Sequence, residues 1–230
     1  MLRFLLGEGT FAQKMLILLI YILALTIAFS VHEFAHAVVA YKLGDNTPYY
    51  MGRVTLNPLA HIDKVGMVLL LLLGFGWGKP VVFNPSNISK LKNRRLGIIF
   101  VSAAGVTANF ITALLANIII VLLSAASVTN PVIYLFLDLL STISISLLAF
   151  NLLPIPPLDG FNILRELLPL SLTYSNGFRA FVANAPRYFF LLILIENFTG
   201  ISVLGRLMGL IAFPFEKLIN LICYLISLPL

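Results

Sequence analysis

The sequence predicts an all-α polytopic membrane protein. Hydrophobic residue types make up 60% of the 230 residues and charged types only 10%, whereas a soluble domain carries about 25% charged residues. Because this small number of charged residues cannot cover a water-facing surface, we expect lipid to face much of the chain. Because a membrane helix needs about 20 apolar residues, the chain has room for about five or six membrane segments.

The charge and the cysteine content exclude other classes. The formal net charge is +6, which in a soluble protein would suggest nucleic-acid binding. Here the basic residues lie mostly between hydrophobic runs, so we interpret them as signals of membrane orientation and expect no nucleic-acid partner. The single cysteine, Cys223, excludes an internal disulfide and a cysteine-based metal site.

The first apolar run extends from Met15 to Ala40 and would be about 39 Å long as a helix, enough to cross a bilayer with tilt. Basic residues precede it, as in a signal peptide, but no small-residue cleavage site follows, so we expect a retained span. The connection over residues 41–95 is rich in Lys and Arg, which predicts a cytoplasmic location. Within it, the apolar run over residues 65–75 is too short for a comfortable span, and we interpret it as re-entrant or surface-lying.

Four more hydrophobic segments follow this connection. They are predicted over residues 96–126, 132–150, 188–212 and 215–230. Asn130-Pro131 marks the turn between the first two, and Pro214 separates the last two. Between the pairs we expect a proline-rich loop, a short interfacial helix over 161–172 and a loop or surface piece over 173–186.

Polar residues stand at the end of the first span, in the sequence His32-Glu33-Phe34-Ala35-His36. Residues four apart share one face of a helix, so both imidazoles can reach one metal ion, and Glu33 beside them can take a proton from water there. Ionisable groups within lipid cost about 3 kcal/mol or more each, which metal binding offsets. We expect zinc, because it suits imidazole ligands and needs no redox chemistry for hydrolysis. The alternative is a polar cluster that bonds neighbouring helices.

Two histidines leave a catalytic zinc site one protein ligand short. Asp159 is a candidate, because the prolines over residues 154–157 prevent a regular helix before it and Gly160 permits a sharp turn after it. A carboxylate on a rigid loop at the end of a span is well placed to complete a metal site. It could also cap the following helix. The other candidates for the third ligand are His61, Asp138, Glu166 and Glu196.

The two motifs together resemble those of the site-2 protease family of intramembrane metalloproteases. That family pairs H-E-x-x-H on one span with N-x-x-P-x-P-x-L-D-G at the end of a later one, here complete over Asn151–Gly160. Residues 52–63 look like the G-R-x-T-L-N-P-x-x-H-I-D stretch of small prokaryotic members without a PDZ domain. One departure is Val106, which replaces the proline of A-G-P-x-x-N; we expect a local change of helix shape without loss of chemistry. The contribution of Asn109 in this motif is left open.

The resemblance implies roles for five residues. They are His32, His36 and Asp159 as ligands of one Zn²⁺, Glu33 as general base and proton shuttle, and Asn151 as a group that holds the substrate backbone or the oxyanion. It also implies a membrane-protein substrate that is cut in or near a transmembrane helix. We expect the protein in the lipid bilayer of the prokaryotic cytoplasmic membrane, with its active site toward the cytoplasmic side.

We expect one intramembrane metalloprotease domain over residues 1–230, with a catalytic core over about 14–170 and C-terminal membrane segments over about 186–230. A helical substrate must unwind before cutting, and the β-prone residues 51–57 could form a hairpin near the active site that offers it a strand edge. An ordinary loop is the alternative. Two rival functions, a metal transporter and a catalytically silent membrane-helix-binding protein, would show internal repeats or missing metal ligands, and the sequence has neither.

Overall fold

The computed structural model of the chain describes residues 10–73, 76, 78–200 and 202–228, and within them the regular secondary structure is helical, without a strand. The helices are α1 (Phe11–Lys42), α2 (Thr47–Tyr50), α3 (Lys64–Leu73), α4 (Arg94–Ala125), α5 (Pro131–Asn151), α6 (Asp159–Leu167), α7 (Leu170–Thr173), α8 (Asn176–Thr199) and α9 (Val203–Ser227), with short 3-10 turns at Pro58–Ala60 and Pro85–Asn87. The all-α prediction is confirmed. The β-hairpin considered for residues 51–57 is not confirmed, since this stretch consists of turns and bends, in agreement with the alternative of an ordinary loop.

Among the described residues, five helices are long and apolar enough to cross a membrane: α1, α4, α5, α8 and α9. Helices α1, α4, α8 and α9 leave large apolar side chains exposed at several positions, as lipid-facing helices do, whereas on α5 such side chains are Val132 and Ile133 of its first turn. Helix α3 has 10 residues, about 15 Å of helix, which is half the thickness of the hydrocarbon core. The described part of this run is therefore shorter than a crossing needs, while its last two residues, 74 and 75, lie outside the described residues.

Side-chain caps explain where the first three spans begin. Thr10 accepts a hydrogen bond from the backbone N–H of Gln13, whose side chain reaches back to Thr10, so α1 starts with a capping box. Asn93 caps α4 by accepting from Arg95 N–H. Asn130 accepts from the first free N–H groups of α5, and Pro131 occupies the first helical position, where its missing N–H costs nothing.

Helices α1, α4 and α5 pack against one another and form the centre of the bundle. Small residues lie at the contact: Ala24, Ala28 and Ala116 are buried beside Leu137 and Leu140. Because lipid tails are as apolar as leucine, membrane helices associate through close packing at small residues. This packing brings the end of α1 beside α4 and the end of α5, where the polar motifs lie.

The C-terminal boundaries differ from the prediction. Residues 173–186 were expected as a loop or surface piece outside the following span, but Ser175 caps a helix that begins at Asn176 and continues through Pro186. This helix ends at Gly200, whose φ of 74° is the left-handed conformation that glycine adopts at helix C-termini. Pro214, the expected break, lies inside α9. Prolines are tolerated within membrane helices, because the backbone groups that they free find other partners.

The stretch after the proline-rich loop was expected as one interfacial helix over residues 161–172. It is divided into α6 and α7, which Leu168 and Pro169 separate in extended conformations. Helix α6 packs against α4, and α9 packs against both α4 and α5. The loop before α6 is held by apolar contacts, since Leu153 and Leu158 pack with Phe189 of α8 and Leu204 of α9.

Candidate active site

The last turns of α1 place two imidazoles side by side. The Nε2 atoms of His32 and His36 are 3.0 Å apart, and both residues are buried. Their rings are held from behind by α4. His36 Nδ1 lies 2.7 Å from the carbonyl oxygen of Val101, and His32 Nδ1 lies 3.1 Å from the carboxamide of Asn109. The two histidines therefore turn their Nε2 atoms toward one shared point.

Asp159 lies at that point. Its Oδ2 is 3.3 Å from His32 Nε2 and 3.1 Å from His36 Nε2. Tetrahedral zinc with ligand bonds of about 2.0–2.1 Å requires ligand atoms about 3.3 Å apart. This buried oxygen has no hydrogen-bond partner among the described residues, as expected for an atom that faces a metal. The donor set and its spacing fit Zn²⁺, and the three residues form one group that could hold a metal ion.

The ionisation of Asp159 suits that role. Burial alone would raise the pKa of its carboxyl, but the neighbouring imidazoles of His36 and His32 outweigh it and lower the pKa to about 2. The carboxyl is therefore a carboxylate at neutral pH. A metal ligand must be in this deprotonated form.

The placement of Asp159 differs in one respect from the prediction. The sequence predicts an acid on a non-helical loop, whereas Asp159 is the first residue of α6, after Leu158. Gly160 was expected to permit a sharp turn. Its role is different, since a Cβ on Gly160 would lie 2.5 Å from the carbonyl carbon of Leu152. Glycine is thus required because the first turn of α6 approaches the backbone at the end of α5.

Glu33 is held beside the candidate metal-binding group of His32, His36 and Asp159. Its Oε2 accepts a hydrogen bond of 2.9 Å from the backbone N–H of Val81, which lies in the connection before α4. Glu33, the two histidines and Asp159 line one cavity of about 170 Å³. The Glu33 carboxylate is therefore close to any water molecule or peptide bond that enters this cavity.

Two asparagines also line this cavity. Asn151 is the last residue of α5 and donates a hydrogen bond of 2.9 Å from Nδ2 to the carbonyl oxygen of Leu147. Asn162 lies one turn after Asp159 on α6, on the same face. Asn151 belongs to the sequence motif and was predicted, whereas Asn162 was not, although its spacing of three residues from Asp159 was a usable signal.

The other candidates for the third ligand have different surroundings. His61 is buried, and its Nε2 lies 2.8 Å from the carbonyl oxygen of Thr55. Glu166 forms ion pairs with Arg95 and Arg165. Glu196 accepts a hydrogen bond from Leu204 N–H. Asp138 lies on an exposed part of α5. Among all candidates for the third ligand within the described residues, only Asp159 has a ligand atom within 4.8 Å of the ligand atoms of both histidines.

Comparison with known proteins gives the family. Residues 117–195 match the sequence profile of Peptidase family M50. The chain is 37% identical over 179 residues to "Putative zinc metalloprotease YwhC" of Bacillus subtilis (strain 168). The aligned region covers 76% of this chain and 78% of that protein. The chain belongs to peptidase family M50. This M50 chain is also 30% identical over 140 residues to "Putative zinc metalloprotease Rip2" of Mycolicibacterium smegmatis, covering 58% of this chain and 51% of Rip2. No solved structure matches it significantly.

Membership in M50 confirms the resemblance that the two sequence motifs indicated. The M50 chain is a zinc-dependent intramembrane metalloprotease, and its apolar helices make it a multi-pass membrane protein. That family suggests a lipid environment and a membrane substrate. The profile match includes the loop that ends at Asp159, but the histidine motif on α1 lies before it. The roles of individual side chains therefore have to be argued from the geometry of the site.

Proposed function

We propose that this protein hydrolyses peptide bonds in or near transmembrane segments of membrane proteins. In this proposal His32, His36 and Asp159 hold one Zn²⁺, and Glu33 is the general base. One observation carries it: the three candidate ligand atoms lie 3.0 to 3.3 Å from one another. Glu33 lines the same cavity. The spacing suits one zinc ion, and the adjoining carboxylate suits proton transfer.

The reaction divides between the metal and the side chains. A bound Zn²⁺ supplies Lewis-acid activation of a water molecule and of the peptide carbonyl. Glu33 takes the proton that the attacking water loses as the new C–O bond forms. It then gives that proton to the amide nitrogen as the C–N bond breaks. The hydrogen bond from Val81 N–H holds the Glu33 carboxylate in one orientation during both transfers.

The remaining polar groups of the cavity suit the peptide. Asn151 lies at the end of α5, beside Asp159, and its carboxamide can hold the substrate backbone or the developing oxyanion. Asn162, which lines the same cavity, can take a second backbone contact. Pro80, Phe83 and Leu158 add apolar walls.

We place the active site toward the cytoplasmic side of the membrane. The connection between α1 and α4, which contains Val81, is rich in lysine and arginine. Such connections remain on the cytoplasmic side. Both relatives named above are bacterial proteins, which supports a location in the prokaryotic cytoplasmic membrane. A cysteine introduced at exposed Leu59 of this connection should react with a membrane-impermeant thiol reagent only in inverted vesicles, with Cys223 replaced by Ser; labelling in intact cells would contradict this orientation.

The proposed function is tested with purified full-length protein and a model substrate that carries a transmembrane helix. Glu33→Gln should lower the cleavage rate by about 10²–10⁴-fold and keep its zinc, because it removes the base but no ligand. Asp159→Ala should lose zinc and activity together. Asp138→Ala, an exposed acid outside the cavity, is the matched control and should keep both. Full zinc content in Asp159→Ala would remove Asp159 from the ligand set, and equal cleavage by Glu33→Gln and wild type would remove the base.

A further inference from the structure

The residue behind His32 is a buried asparagine of α4. Asn109 is fully buried, and its Nδ2 lies 3.1 Å from His32 Nδ1. Its Oδ1 is also buried and has no hydrogen-bond partner among the described residues. A buried carbonyl oxygen without a partner costs about 1–3 kcal/mol. This pairing therefore leaves one half of the carboxamide unsatisfied while the other half contacts a proposed metal ligand.

The direction of this hydrogen bond follows from the role of His32. A neutral imidazole carries one proton, and the nitrogen without the proton is the one that can bind a metal. His32 directs Nε2 toward Asp159 and His36. If Nε2 binds zinc, Nδ1 carries the proton and needs an acceptor. The NH₂ group of Asn109 cannot accept, but its oxygen can. The two orientations of a carboxamide have the same shape, so the amide turned by 180° puts Oδ1 against His32 Nδ1.

His36 shows the same arrangement with a partner whose direction is fixed. Its Nδ1 lies 2.7 Å from the backbone carbonyl oxygen of Val101, which can only accept. Nδ1 of His36 is therefore the donor, and Nε2 is free for a metal. Metal-binding histidines almost always donate their second N–H to a carbonyl or carboxylate in this way. An acceptor behind His32 would make the two ligands equivalent.

Helix α4 spaces these acceptors to match the histidines. Val101, Gly105 and Asn109 are four residues apart in turn, so they share one face of α4, about 12 Å long. His32 and His36 are four residues apart on the facing helix. Val101 meets His36, Asn109 meets His32, and Gly105 between them lies against both rings. One face of α4 thus contacts both proposed histidine ligands from behind.

We propose that Asn109 is a positioning residue whose carboxamide oxygen accepts the Nδ1 proton of His32 and so keeps His32 Nε2 available to Zn²⁺. The inference rests on the proposed role of His32 as a ligand. It gives Asn109 a function that does not require contact with metal or substrate. Because Asn109 acts through His32, the primary effect of substituting Asn109 should be weaker zinc binding.

The test compares acceptor and non-acceptor variants by zinc affinity, measured by chelator competition on the full-length, monodisperse protein. Asn109→Leu has a similar volume and no acceptor, and it should bind zinc about 10–100-fold more weakly. Asn109→Asp can only accept, and it should stay within about threefold of wild type. If the carboxamide instead donates to His32, Asn109→Asp will lose as much affinity as Asn109→Leu, which would overturn the proposal.

Asn117 provides the matched control. It lies two turns further along α4 and donates a hydrogen bond of 2.6 Å to Ser141 Oγ on α5, away from the metal-binding group. Asn117→Leu should lower thermal stability but leave zinc affinity unchanged. Equal weakening in Asn117→Leu and Asn109→Leu would show a general packing effect and contradict the proposal. His32→Ala distinguishes failure of the proposed ligand set from failure of the positioning role. If His32→Ala keeps its zinc, the proposed ligand set is wrong. If His32→Ala loses zinc but Asn109→Leu binds it normally, only the positioning role of Asn109 is refuted.

Discussion

Gly105 lies directly against His32. A Cβ on Gly105 would be 2.5 Å from His32 Cε1 and 2.7 Å from His32 Nδ1, and it would come closer still to His36 Nε2. Real Cβ atoms do not approach neighbouring atoms this closely, so any larger residue would displace an imidazole or push α4 away. The close packing of α4 on α1 and the geometry of the metal-binding group therefore depend on one hydrogen atom in place of a side chain.

Gly105→Ala should weaken zinc binding by about tenfold or more, because the added methyl group displaces the imidazoles from their shared point. Chelator competition and zinc content of the purified protein measure this. Gly209→Ala is the control, since it adds the same methyl group in membrane helix α9 where no atom lies within 4 Å. It should leave zinc binding unchanged. Normal zinc affinity in Gly105→Ala would show that the rings can move without loss of the site.

The hydrogen bond from Val81 N–H to Glu33 provides a second prediction. Val81→Pro removes this donor without changing a side chain that faces zinc. Hydrogen bonds to charged groups contribute about 1.5–3 kcal/mol, so we expect the cleavage rate to fall by about 10-fold or more with zinc content unchanged. Val82→Pro is the control, because the N–H of this exposed neighbour makes no hydrogen bond within the described part of the chain. Equal rates in the two proline variants would contradict the role of Val81.

The site residues and their supports were not equally predictable. His32, Glu33 and His36 follow from their residue types and helical spacing, and Asp159 belongs to a second residue pattern, Asn151–Gly160. Val81 contributes only its backbone N–H, and since nearly every residue type has one, the sequence does not indicate this contact. The contact between Asn109 and His32 joins residues 77 positions apart, and only the packing of α4 on α1 creates it. Local patterns thus point to the proposed reacting groups, while long-range packing determines what lies beside them.

The fold shows the same division. The three spans that begin at Asn or Thr caps were placed to within a few residues, since the caps and the hydrophobic runs agree. The C-terminal helices were displaced, because Pro214 was given more weight than Gly200. In a membrane helix a proline does not end the helix, whereas a glycine in the left-handed conformation does.

An ion pair provides a third prediction, on the attachment of α6. Arg95 at the start of α4 lies 3.5 Å from Glu166 and donates a hydrogen bond of 2.5 Å to the carbonyl oxygen of Leu168. Since Asp159 begins α6, Arg95→Leu should loosen that helix and lower both thermal stability and zinc affinity, the latter by about threefold to tenfold. Arg94→Leu, at an exposed neighbouring position, should change neither. A loss of stability with normal zinc affinity would mean that α6 keeps Asp159 in place without this anchor.

Asp45 holds together the connection that positions Val81. This fully buried carboxylate follows α1, and its oxygens accept hydrogen bonds from Thr47 N–H, Thr47 Oγ1–H, Asn84 N–H and Asn87 Nδ2–H, at distances from 2.6 to 3.0 Å. Burial alone would raise the pKa of Asp45, but the hydrogen bonds from Thr47, Asn87 and Asn84 outweigh it and lower the pKa. The carboxylate form is therefore the one that the fold stabilises.

Asp45→Asn should lower the free energy of unfolding by about 1–3 kcal/mol at pH 7, because it leaves buried N–H donors without an acceptor. A depressed pKa contributes stability that is present above the unfolded value of about 3.9 and is lost as pH falls through the folded value. The difference in thermal stability between wild type and Asp45→Asn should thus be constant near neutral pH and shrink below about pH 4. Asp63→Asn, whose carboxylate accepts one hydrogen bond, from Gly66 N–H, should show a smaller difference. A gap between wild type and Asp45→Asn that is equal at pH 7 and pH 3 would mean that the carboxylate charge does not hold this connection.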